Sequence, residues 1–160
     1  MTGKTLNYGI LPAEAFGNYD SGLAVLRAII SGSLPHAPIS ETLGFLLAEA
    51  DPNRAVFAGT PRVHHYNPFG AVHAGFAATL LDSAMFCSIV TTFAKGESAT
   101  TLELKINLVS ALTDKTGPVR AEGRVIHRGR TTATAEGYLR DESGKLYAHG
   151  TTTCIIFRAA

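Results

Sequence analysis

What this 160-residue chain has little of narrows its class first. It has no tryptophan, two methionines and two cysteines. Cys87 and Cys154 fall in separate apolar segments, so they read as buried free thiols in a reducing compartment rather than a disulfide framework. Charged residues make up only 17% of the chain, and they balance to a formal net charge of +1. No basic excess exists to neutralise a phosphate backbone, which argues against nucleic acid as the partner. No apolar run reaches the ~18 residues that a membrane-spanning helix needs. The opening "MTGKTLNYGILPAEAFGNYD" lacks a charged start followed by a continuous apolar stretch, so no export signal is read there. A cytoplasmic protein that does not engage the membrane is expected. Neither a Walker nor a dinucleotide glycine pattern occurs. No Cys/His/carboxylate cluster has zinc spacing. The adjacent His64 and His65 lie in a segment read as strand, where neighbouring side chains point to opposite faces. No metal and no cofactor are therefore expected.

What is present is apolar. Hydrophobic residues make up 46% of the chain, enough for one sizeable core in a single domain. "DSGLAVLRAIISG" reads as a short helix, capped by Asp20 or Ser21 and ended by Gly32. "ETLGFLLAEAD" leads into a strand over 44–50, and "DPN" turns the chain. A longer strand is expected over 54–66, with Pro61 at an edge or bulge. After the breakers of "NPFGA", residues 72–93 read as a long helix. The pattern then changes to period two. In "TTLELKINLV", Leu102, Leu104, Ile106 and Leu108 share one face, as in a half-buried antiparallel strand. Three further strands follow, the last two joined by "DESGK". Strands segregated from a single long helix indicate the α+β class. A curved antiparallel sheet of about six strands, wrapped around the helix, accounts for the order. Such a sheet leaves edges, and pairing two copies would cover one.

The helical segment "NPFGAVHAGFAATLLDSAM" carries the chemistry. Asp82 sits among Ala78, Thr79, Met85 and Phe86, where an unpaired carboxylate is costly. Upstream, Asn67 and His73 precede a helix start at about 72–75, where unpaired N–H groups can hold a developing oxyanion. His73 and Asp82 are nine residues apart. On one helix that places them about 180° apart in azimuth and ~13 Å apart along the axis. They cannot meet within one chain. A site that uses both must lie between two chains.

The pattern Asn67, Gly70, His73, Ala74, Gly75, with an acidic residue nine after the histidine, resembles the hotdog-fold acyl-CoA thioesterases of the PaaI-like (phenylacetic acid degradation-type) family. "ETLGF", "TTLELKINLVSAL" and "VIHRGRTTATAEGYLRDESGKLYAHGTTTCIIF" resemble that family's flanking strands. The resemblance covers about 40–157. It implies a hotdog domain over 36–160, preceded by an N-terminal extension with a short helix over 1–35.

It also implies an acyl-CoA substrate, a homodimer or dimer of dimers, and active sites at the subunit interface. Asp82 would be the nucleophile or general base. The Ala74 amide would polarise the thioester carbonyl, with Gly75 supporting the turn. Asn67 would position water or the carboxylate, and His73 would assist near the carbonyl or leaving thiolate. Thr100 matches a hydrogen-bonding Ser/Thr position. Phe76 is expected to shape the acyl site, and Arg128 and Arg130 could bind the CoA nucleotide. Ala74 stands where glycine is commoner, but a backbone donor survives that change. A non-catalytic acyl-CoA-binding protein and a hotdog enoyl-CoA hydratase or dehydratase are the alternatives. The hydratases resemble other motifs. A sensor would need a further domain that residues 1–40 are too short to supply.

Overall fold

The computed structural model describes residues 6–12 and 14–158. Six strands, β1 (Phe45–Asp51), β2 (Arg54–Gly59), β3 (Glu97–Leu108), β4 (Val119–Arg128), β5 (Thr132–Asp141) and β6 (Leu146–Arg158), form one antiparallel sheet. Its order is β1-β2-β4-β5-β6-β3, so β1 and β3 are the edges. Helices α1 (Ala15–Asn18), α2 (Gly22–Ser31) and α3 (Pro38–Leu43) precede the sheet, and α4 (Ala74–Val90) packs on its concave face. This is the hotdog architecture.

The length of α4 follows from its residues. Among its seventeen, Asp82 is the only charged one, and nine are buried. A helix apolar nearly all round needs cover on most sides, and the sheet supplies it. Leu80, Leu81, Met85 and Ile89 are fully buried, with Val119, Ala121, Ala133, Ala135 and Leu139 of the sheet in the same core. Close approach depends on a row of glycines. Gly123, Gly137 and Gly150 are paired neighbours across β4, β5 and β6. A Cβ on Gly123 would lie 2.3 Å from the Ala84 carbonyl oxygen, and one on Gly137 2.8 Å from Met85 Cγ. Gly123 and Gly137 let the helix settle onto the sheet, while Gly150 admits β3, where a Cβ would lie 2.5 Å from Lys105 O.

Three boundaries differ from the sequence reading. The strand expected over 54–66 ends at Gly59. Pro61 is buried beyond it, and Val63–His65 form a single 3-10 turn. His64 and His65 are thus not on opposite faces of a strand; their rings lie 4.1 Å apart, edge to face. The helix starts at Ala74 rather than 72, because Val72 donates its N–H to Leu112 O and belongs to the loop. In β3, the register with β6 shifts between Thr101 and Glu103. A bulge of this kind inserts one residue and reverses the face parity beyond it. Leu102 is the unpaired residue of the bulge and is 60% exposed, so the alternation expected to run from it through Leu104, Ile106 and Leu108 is broken there.

The short helix read in the N-terminal region is α2. Ser21 caps it by accepting the Ala24 N–H at 3.2 Å, and Gly32 closes it in the left-handed conformation. Its Gly22 N–H donates to Phe93 O just beyond α4, which fixes α2 against the end of that helix. No helix among the described residues is long and apolar enough to cross a membrane.

Candidate active site

The loop before α4 is built by Asn67. Its side-chain oxygen accepts the N–H groups of Phe69 (2.9 Å) and Ala71 (3.3 Å). Gly70 takes a φ of +85°, a conformation open to glycine at little cost. With Oδ1 engaged by backbone donors, the Asn67 NH₂ group is the end left to meet a ligand. Further bonds anchor the loop. The His73 N–H donates to His65 O at 2.7 Å, and Tyr66 Oη donates to Asp114 at 2.6 Å. His65 is itself buried, with its ring stacked on Phe76. Burial first, then His64 and Arg62, lower its pKa, so it stays a neutral packing group.

His73 caps α4. Its Nδ1 accepts the Gly75 N–H at 2.9 Å. Nδ1 is thereby the acceptor, and the ring proton resides on Nε2. A Cβ on Gly75 would crowd that nitrogen at 3.0 Å, which explains the small residue there. The Gly75 amide is therefore taken by the cap. The Ala74 amide, at the first helical position, has no intrahelical acceptor, and among the described residues no other acceptor holds it. Ala74 and His73 are exposed, and they line a cavity of about 360 Å³ with Asn67, Leu108 and Tyr147.

Asp82 opens elsewhere. It lines a second cavity of about 460 Å³, walled by Leu47, Phe57, Phe86 and residues of α2 and α3. Its Oδ1 accepts from Thr101 Oγ1 at a long 3.4 Å. Burial raises its pKa above the usual carboxylate range, and the Thr101 bond opposes this only partly. Cys87, one turn along on the same wall, has its thiol pushed up to about 12 by burial and by the Asp82 charge. It stays protonated, so Asp82 is the better-placed base in that cavity. No group of three His, Cys, Asp or Glu side chains among the described residues could hold a metal ion.

Three sequence expectations fall elsewhere. Thr100 is exposed on the face away from the helix, and Thr101 takes the Asp82 contact. The family match selects Thr100, but strand alternation places it opposite Ile155 and puts its neighbour Thr101 opposite the buried Cys154, on the side of Asp82. Phe76 is 2% exposed and packs on His65 in the core, outside both cavities. Arg128 is committed to structure. It donates to Glu97 at 2.7 Å, to Thr92 Oγ1 at 3.1 Å and to the Gly129 carbonyl. Glu97 also accepts from Arg158 and from the Ala94 N–H. Burial would raise its pKa, but those bonds hold it below the usual value. Arg130 lies exposed in the adjoining turn.

The comparisons with known proteins agree with this fold. The thioesterase superfamily model matches residues 69–148. A solved variant of the phenylacetic acid degradation protein PaaI from Thermus thermophilus is 32% identical, with 74% of this chain and 97% of that chain covered and a TM-score of 0.66. The chain belongs to the thioesterase superfamily, as a PaaI-like hotdog member. This thioesterase is also similar to a conserved protein, PA5202, from Pseudomonas aeruginosa: 29% identity, 75% and 94% coverage, TM-score 0.70. AziG of S. sahachiroi shares the fold at 22% identity, with a TM-score of 0.73 and 76% and 98% coverage. No curated protein matches it significantly. The thioesterase thus hydrolyses thioesters, with Asp82 in one cavity and the open end of α4 in another.

Proposed function

We propose that the protein hydrolyses an acyl-CoA to free acid and CoA at a site shared by two copies of the chain. The observation that carries the reading is the separation of Asp82 and the Ala74 amide into two cavities at different places along one helix. Each chain then holds two half-sites. In the assembled site, Asp82 of one copy removes a proton from water, and the resulting hydroxide attacks the thioester carbonyl. The Ala74 N–H of the other copy holds the oxyanion. Collapse breaks the C–S bond, and the leaving CoA thiolate takes up the proton that Asp82 removed from water, which restores the carboxylate. The Asn67 NH₂ and the His73 Nε2–H are the donors beside the carbonyl. The chemistry needs only the substrate and water.

The edge strand β3 supports pairing of copies. It is twelve residues long, and it carries exposed Leu102 (60%), Leu104 (39%) and Leu108 (54%). A long apolar edge of this kind calls for cover. A second copy added edge to edge through β3 supplies it. Phe69, 92% exposed in the Asn67 loop, offers a further apolar contact.

A free-thiol assay over a panel of acyl-CoAs tests the reading. Release by the wild type, lost in a folded Asp82→Asn variant, is expected. Full turnover by that variant would overturn the role of Asp82. Tight acyl-CoA binding without thiol release would favour a binding protein instead.

A further inference from the structure

The cavity onto which Asp82 opens has a wall that the family model does not include. That model begins at Phe69. Much of the cavity lining lies before it: residues 9–11, part of α2, and residues 35–40. This N-terminal part is held to the rest of the chain. The Gly9 N–H donates to His36 O at 2.9 Å, and the His36 N–H donates to Asn7 O at 2.8 Å. The pair forms a parallel bridge between Tyr8 and His36, and their rings lie 6.2 Å apart. A Cβ on Gly9 would lie 3.6 Å from the Pro35 ring, so the two stretches of chain run close together. α2 is fixed to the end of α4 through Gly22 and Phe93. The result is a built wall rather than a loose tail.

The wall is apolar. Leu11, Ile29 and Ile39 face the cavity from the segments before β1, with Leu47, Phe57 and Phe86 of the sheet and α4 completing the lining. Besides Asp82, the polar side chains of the lining are Ser83, Cys87, His36 and Ser40, and the last two are buried at 7% and 2% exposure. Burial lowers the His36 pKa, so this ring adds no cation to the cavity. The volume of about 460 Å³ falls within the ~300–1,000 Å³ usual for small-molecule sites. An apolar cavity with one carboxylate at its rim suits a molecule that is apolar at one end and reacts at the other.

From this the geometry points to a specificity wall: residues 9–11, α2 and 35–40 select an extended apolar acyl tail and seat it beside Asp82. The inference rests on the reading of Asp82 as the catalytic carboxylate. It adds that the segments before β1, not the sheet and α4 alone, set which acyl group is accepted. Acetyl-CoA leaves the cavity empty. A polar or charged acyl tail meets no partner there. A tail of medium length gains with each carbon, since a methylene moved from water into such a wall is worth roughly fourfold in affinity.

Binding of non-hydrolysable S-alkyl-CoA thioethers tests this without turnover. Decyl-CoA and ethyl-CoA are compared by calorimetry on the full chain. The wild type is expected to bind the decyl form at least about tenfold more tightly. Two cavity-filling variants on separate elements, Leu11→Trp and Ile29→Trp, are each expected to abolish most of that preference, with circular dichroism confirming the fold. Equal affinity of the wild type for both thioethers would overturn the inference. So would a folded filling variant that keeps the full preference. Should the wild type release no thiol from any acyl-CoA, the catalytic reading fails, while the thioether preference still decides the wall. Thiol release from a panel with no dependence on tail length in wild type or variants would leave the enzyme intact and sink the wall.

Discussion

Asp82 and His73 belong to one short segment of chain, yet they line different cavities. His73 caps the start of α4 and faces the cavity of Asn67 and Tyr147. Asp82, nine residues on, faces the cavity closed by the N-terminal helices. At ~1.5 Å per residue the two ends lie more than two turns apart. On the proposed mechanism, a single chain therefore presents the base without an oxyanion donor at one place, and the donor without a base at the other.

Substituting Asp82 separates chemistry from stability. Asp82→Asn is expected to lower kcat by about 10²–10⁴, the range for loss of a positioned base. It is also expected to stabilise the fold at neutral pH. Burial raises the folded-state pKa of Asp82, so the protonated form is favoured by folding. That contribution is full below the unfolded-state pKa of about 3.9 and is lost as pH rises through the folded-state value. The neutral amide avoids the loss. Thermal melts of both proteins should show the variant ahead by a few degrees near pH 7, with the gap closing toward pH 3.

The same displacement shapes the pH–rate profile. The base must be ionised, so kcat/KM is expected to climb with pH and level off above the Asp82 pKa. The midpoint should lie above the ordinary carboxylate range, because burial outweighs the Thr101 bond. Thr101→Val removes that bond, and it is expected to move the midpoint further upward. A midpoint at or below the ordinary range would assign the limb to another group.

Ala74→Pro removes the open amide with little cost to the helix. Proline is accepted at the first helical position. His73 has φ −59° and ψ 138°, a conformation compatible with a following proline. The variant is expected to fold with near wild-type helicity and to lose about 10²–10³ in kcat, with KM little changed. Steady-state kinetics with the best acyl-CoA measures the split.

Arg128 is a structural side chain by its contacts, and its variant should show it. Arg128→Ala leaves Glu97, 7% exposed, with Arg158 as its remaining guanidinium partner. A loss of about 2–3 kcal/mol in urea unfolding is expected, the range for a hydrogen bond to a charged group, together with an unchanged KM for acyl-CoA. A raised KM without loss of stability would restore the nucleotide-binding role to Arg128.

Much of the architecture was legible because its signals are periodic. The segregation of one long apolar helix from alternating strands, the caps at Ser21 and Gly32, and the Asn67–Asp82 spacing all read directly from residue types. What escaped depended on relations between distant segments. The β3 bulge at Leu102 has no local mark, and the family match pointed to Thr100 where its neighbour Thr101 makes the Asp82 contact. The strand expected through His64 and His65 ended early because Pro61 is buried and the chain turns after it. Phe76 looked like a pocket residue from its place in the helix, but its ring faces His65. One available signal was missed. Single glycines in the middle of three strands, Gly123, Gly137 and Gly150, mark where the helix and the neighbouring backbone come close. The N-terminal wall was invisible to motif spacing, since its residues are ordinary apolar ones that matter only where they fold.

The central claim is that one active site takes its base and its oxyanion donor from different chains. Asp82→Asn and Ala74→Pro, each inactive alone, can be coexpressed with different affinity tags and purified as the mixed dimer. In that dimer one site carries both defects, and the other carries neither. Thiol release at about half the wild-type rate per dimer is predicted from this symmetry. A mixed dimer as inactive as either parent would contradict the account.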